Sequence, residues 1–167
     1  MSLHDDLLAQ AWHLAGLDKK RPKQANLRRA VSAAYYALFH LIVGNGGYVM
    51  SPAEPARLRQ RVQRMFEHSA MKAVCKKFAK NDLKALPVDL GELIATPLEP
   101  ELSAIANTFV EMQELRHQAD YDVLATFDRY QVYELIDSVE DAFRKWSSMA
   151  GKPNANVFLA AMMLQKR

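Results

Sequence analysis

Residues 100–122 read PELSAIANTFVEMQELRHQADYD, and this stretch decides the fold class. Leu102, Ile105, Phe109 and Met112 recur at steps of three and four, the spacing of one buried face of an α-helix. The next two positions on that stripe are Arg116 and Ala119. A guanidinium therefore stands where an apolar side chain is due, aimed at the inside of the fold or at a groove. Around it Arg116, His117, Gln118, Ala119, Asp120, Tyr121 and Asp122 gather a permanent cation, an imidazole, two carboxylates and a phenol. Such a set can bind a phosphate or move a proton.

The rest of the chain reads as helix with no strand. Ser2 caps a first helix to about Leu17, with Asp5 and Asp6 in its first turn, where the helix dipole favours carboxylates. A second helix runs from Gln24 to Val43 on Leu27, Val31, Ala34, Leu38 and Leu41, and Gly44, Asn45, Gly46 and Gly47 are expected to stop it. Pro52 and Pro55 frame a third, basic helix from Ala56 to Lys80, broken near Ser69. The connector from Asn81 to Pro100 holds a short apolar segment at Leu90 to Ala95. After the helix of residues 100–121, Thr126 caps a long helix with Val132, Leu135, Val139, Phe143 and Trp146 on its buried stripe. A segment from Asn156 to Arg167, apolar with a basic tip, is expected to dock on the bundle or on a second subunit. The expectation is an all-α bundle of four to five main helices with short accessory helices, residues 1–150 forming the domain and 151–167 a C-terminal helical tail.

The chain has 167 residues, a net charge of +3 and one cysteine, Cys75. That length can bury a core without staples, and one thiol excludes an intramolecular disulfide and a thiolate zinc site. No metal and no cofactor is expected. Without a long apolar run, no membrane association is expected either, and the composition suits the cytoplasm. Charge is sorted along the sequence. Lys19, Lys20, Arg21, Lys23, Arg28 and Arg29 form one basic block, and a second runs from Arg57 to Lys80. Between Glu99 and Asp141, eleven acidic residues face only Arg116 and Arg129. Basic surfaces of this kind attract nucleic acid or acidic partners, and they also occur as ordinary solvated helix faces.

A second polar line accompanies the Arg116 cluster. Arg29, Ser32, Tyr36 and His40 are three, four and four residues apart and share one helix face. His40, His68 and His117 are the proton-transfer candidates, since only histidine titrates near neutrality unperturbed. His40 between aromatics reads equally well as a packing residue, and Arg116 with Asp120 as an intrahelical ion pair.

Two segments carry a resemblance. Tyr35 to His40, YYALFH, following Arg28 to Ser32, and Arg116 to Asp122, RHQADYD, are similar to the two signature segments of the HEPN (higher eukaryotes and prokaryotes nucleotide-binding) family. Phe66 to Lys72 resembles small stand-alone prokaryotic members, and the likeness spans roughly residues 7 to 146. It implies a helical bundle that forms a homodimer with its signature arginines in a shared cleft. It further implies RNA or nucleotide as ligand, with many members acting as metal-independent ribonucleases in toxin–antitoxin or other defence systems, some beside a nucleotidyltransferase-type antitoxin. In active members a histidine follows the arginine after four to six residues. Here those positions hold Tyr121, Asp122 and Val123.

Two functions remain open on this reading. One is a ribonuclease or toxin-like effector using Arg116, His117, Asp120, Tyr121 and His68, with Arg29, Tyr36 and His40 binding the ligand. The other is a catalytically silent module that binds a nucleotide or a partner protein.

Overall fold

The computed structural model describes residues 2–50, 52 and 56–164. Met1, Pro55 and the basic tip Lys166 and Arg167 lie outside the described residues. Every regular element is helical: α1 (Leu3–Gly16), α2 (Gln24–Met50), α3 (Ala56–Gln63), α4 (His68–Ala79), α5 (Val88–Gly91), α6 (Pro100–Tyr121), α7 (Arg129–Met149) and α8 (Pro153–Leu164), with a 3-10 turn at Leu83–Ala85. The chain is all-α. It divides into two compact units, residues 1–40 with 108–143, and residues 41–107 with 144–167.

In the first unit, α1 opens with the expected cap. Ser2 and Asp5 form a reciprocal capping box, and the bonds from Ser2 hold the Asp5 carboxyl below its ordinary value. Trp12 fixes α1 on α7, its indole N–H donating to Glu140 at 2.5 Å and its ring resting 5.5 Å from that of Tyr133. Asp18 accepts from the Lys23 backbone N–H and the Asn26 amide, both at 2.8 Å, and so shapes the turn into α2. Arg129 donates to the Asp18 carbonyl. Gln24 pairs its amide with both backbone groups of Phe127, at 2.8 and 2.9 Å, tying the start of α2 to the loop before α7. Tyr35, fully buried, packs its ring 5.6 Å from Phe109 and so joins α2 to α6.

In the second unit, α8 packs on α4 through Phe78 and Phe158, whose rings meet edge-on at 4.8 Å. The C-terminal segment therefore docks on the chain's own α4, with Val157, Phe158, Leu159, Ala161 and Met162 buried. Asn154, 1% exposed, donates to the Ala95 carbonyl and to Glu99 and accepts from the Ala95 N–H, each at 2.8 Å. That bonding satisfies a buried amide and pins the connector.

Two boundaries and one buried stripe differ from expectation, each for a local reason. The glycines at 44, 46 and 47 do not stop α2, which continues to Met50. A Cβ on Gly46 would stand 2.3 Å from the Phe66 ring, and one on Gly47 2.9 Å from the Gln63 side chain. These glycines serve close packing, and the packing outweighs their helix penalty of ~1 kcal/mol each. The basic helix does break near Ser69, at residues 64–67, where the buried Phe66 turns inward. Helix α7 starts at Arg129, and Asp128 caps it in place of Thr126: its carboxylate accepts from the Tyr130 N–H at 2.8 Å while Gln131 accepts from the Asp128 N–H at 3.2 Å. The buried stripe of α7 runs through Val132, Ile136, Val139, Ala142, Trp146 and Met149, leaving Leu135 and Phe143 half-buried.

Candidate functional site

Helix α6 brings Arg116 against α2 in the first unit. Four turns of apolar side chains place its stem, Met112 and Phe109 being buried one and two turns earlier. The guanidinium carbon lies 5.2 Å from the centroid of the Tyr35 ring and 5.5 Å from that of Tyr36, within cation–π range of both. Its Nη1 reaches the Asp120 carboxylate at 3.5 Å, and the two side chains are 13% and 23% exposed. Asp120 divides its oxygens. One accepts from the buried Ser32 hydroxyl at 2.6 Å, the other faces Arg116. Arg116 Nε is buried and has no hydrogen-bond partner among the described residues.

The cation therefore is held by aromatic faces and one long ion pair, with its donor fork incompletely used. Charge-assisted N–H···O bonds are normally ~2.7–2.9 Å long, so Asp120 does not saturate it.

Beside this cluster a pocket of about 490 Å³ is lined by Ala25, Arg28, Arg29, Ala119, Asp120 and Tyr121. The two small alanines leave the space, and Arg29 stands exposed at it with no hydrogen bond or ion pair among the described residues. Arg28 has another task. It donates to the carbonyls of Ala119 at 3.0 Å, Val123 at 3.4 Å and Ala125 at 2.5 Å, capping the C-terminus of α6 and clamping the following loop. Sequence reasoning placed Arg28 in a basic block and did not see this role, because the carbonyls it reaches are 91 to 97 residues away and meet it only once α2 and α6 are paired.

The expected residues separate into groups. Ser32 and Tyr36 join Arg116 and Asp120, as the shared face of α2 requires. Arg29 and Tyr121 face the pocket, and Tyr121 is 66% exposed. His117 is exposed, its ring 5.0 Å from that of Tyr121 one turn on. His40 is half-buried, with its ring edge-on to Phe39 at 5.3 Å; burial, and secondarily the charge of His4, push its imidazole below the usual value. His68 opens α4 in the second unit and is partly buried there.

Among the described residues, no three His, Cys, Asp or Glu side chains converge in a way that could hold a metal ion. No helix there is long and apolar enough to cross a membrane. Comparison of the chain with known protein families, curated proteins and solved structures finds no match.

Proposed function

We propose that this chain is an HEPN-type module that binds a phosphate group of RNA or of a nucleotide at Arg116 and holds it without cleaving it. The observation that carries the reading is the underused guanidinium: a cation oriented by Tyr35 and Tyr36, with Nε unpartnered and only a 3.5 Å contact to Asp120. The ligand enters from the pocket at Arg29 and Tyr121, and its phosphate competes with Asp120 for the fork. The basic block from Lys19 to Arg29 lies in the same unit and supplies the attracting field. Catalysis is disfavoured because the family's histidine positions hold Tyr121, Asp122 and Val123.

The cleaving reading draws on His117, exposed against Tyr121. In a homodimer that apposes two copies of Arg116, the imidazole from one copy would serve the phosphate held by the other. A toxin-like effector with a nucleotidyltransferase-type antitoxin partner follows from that second reading.

The test is binding of a labelled single-stranded RNA and of a nucleoside triphosphate at low and raised salt, together with a cleavage assay. Arg116→Met, which keeps the stem on the rings, should abolish binding, and Arg29→Ala should weaken it. Asp120→Asn should strengthen it, since it removes the carboxylate that competes with the ligand. Wild-type affinity should fall steeply with salt. Unchanged binding in Arg116→Met, or loss of binding in Asp120→Asn, overturns the proposal; cleavage lost in His117→Ala would establish the second reading in its place.

A further inference from the structure

The next stripe of α6, Glu111, Leu115, Gln118 and Asp122, faces Gln131, Glu134 and Leu135 of α7 across a groove of about 660 Å³ in the first unit. Its apolar floor includes Phe127, and its walls carry Glu111, Asp122 and Glu134 with no cation. The two arginines of this acidic part of the chain are committed elsewhere, Arg116 to Asp120 and the tyrosine faces and Arg129 to the Asp18 carbonyl. Glu111 and Glu134 make no ion pair among the described residues. The groove is thus negative and half apolar.

Helix α3 is its complement. None of its residues is buried. Among the described residues, Arg59 covers the Tyr48 ring at 4.9 Å and Gln63 lies against Gly47. Arg57, Arg61 and Arg64 recur at steps of four and three on the opposite side, exposed and without partners among the described residues. Between the two sides run Leu58, 50% exposed, and Val62, followed by Met65, 51% exposed. Helix α3 thus presents a basic ridge beside an exposed apolar edge.

We propose that α3 of a second copy of this chain docks in the groove between α6 and α7. Arg57, Arg61 and Arg64 then meet Glu111, Asp122 and Glu134, and Leu58 and Val62 cover Leu115 and Leu135. Charge complementarity selects a second copy as occupant: three arginines without partners among the described residues of one copy match three groove carboxylates on the other. The contact uses a different stripe of α6 from Arg116 and stands independently of the RNA or nucleotide reading. Because the pairs are partly exposed, the association weakens as salt rises.

Sedimentation of the full chain at low ionic strength tests this with two double variants, Arg57→Glu/Arg61→Glu and Glu111→Lys/Glu134→Lys. All four positions are exposed, and far-ultraviolet circular dichroism confirms the fold of each variant. Wild type should self-associate, and each variant alone should do so at least tenfold more weakly. An equimolar mixture of the two should recover association, because every α3–groove contact between unlike variants pairs opposite charges again. No association of wild type, wild-type association of either variant, or no recovery on mixing overturns the proposal. If Arg57→Glu/Arg61→Glu loses only RNA binding and still associates like wild type, the ridge serves nucleic acid and the proposal fails.

Discussion

Arg28→Met removes one guanidinium and keeps most of its aliphatic stem. In the native chain that group donates to the Ala119, Val123 and Ala125 carbonyls, the last at 2.5 Å, at a helix end where no other donor reaches them among the described residues. A hydrogen bond involving a charged group contributes ~1.5–3 kcal/mol net. The bonds to Ala119 and Ala125 are partly buried, whereas the 3.4 Å contact to Val123 is exposed and contributes little. Allowing for water replacing part of the lost bonding, the variant should lose about 3 kcal/mol of unfolding free energy. For a chain of this size that corresponds to a fall of roughly 6–12 °C in Tm. Urea titration followed by circular dichroism measures it, with the midpoint lowered and the slope unchanged. Amide exchange at residues 122–127 should rise before the rest of the first unit opens. Arg29→Met is the control. That neighbour is exposed and has no partner among the described residues, so its change should stay within about 0.5 kcal/mol. Equal effects from the two variants, or an Arg28→Met loss below about 0.5 kcal/mol, would refute the clamp.

Two further perturbations follow. Gly44→Ala and Gly46→Ala should have opposite signs: nothing lies within 4 Å of a Cβ at 44, so that change should stabilise α2 by up to ~1 kcal/mol, while at 46 the Cβ meets the buried Phe66 ring and should cost ~1–2 kcal/mol net. Thermal melts distinguish them, and destabilisation by both would contradict the packing account. His40 should make stability pH-dependent, because its folded pKa is depressed below the unfolded value of 6.5. Above that value both states are neutral and the residue contributes nothing. As pH falls below it the unfolded chain takes up the proton first, and stability declines until the folded imidazole also titrates. Urea midpoints compared above and below this window should converge for His40→Gln relative to wild type; an unchanged pH dependence would remove His40 as its source.

Periodicity located the long helices because burial on one face leaves a trace in the order of residues. The stripe of Leu102, Ile105, Phe109 and Met112 is fully buried or nearly so, and Arg116 follows it inward as its spacing requires. Contacts between elements leave no such trace. Nothing local distinguishes Arg28 from Arg29, yet one clamps a loop and the other faces solvent, since the choice is made by carbonyls about ninety residues away. Gly46 and Gly47 failed as stop signals for the same reason. Their partners, Gln63 and Phe66, come from a later segment, and close packing there reverses the local preference. Ser32 was aligned with Tyr36 by helix geometry, but its bond to Asp120 required the register between α2 and α6.

The distribution of the chain's rarest side chains makes its cooperativity directly observable. Of the two tryptophans, Trp12 lies half-buried in the first unit and Trp146, 2% exposed, in the second, which also contains the only thiol, Cys75. Burial both shields that thiol and pushes its pKa well above the usual value, so an alkylating reagent reaches it only when the second unit opens. Fluorescence of a Trp146→Phe variant then follows the first unit, and the alkylation rate of wild type follows the second. Superimposable denaturant dependences would make the two units one folding transition, and displaced ones would give each its own stability, using chromophores and a nucleophile that the natural sequence already carries.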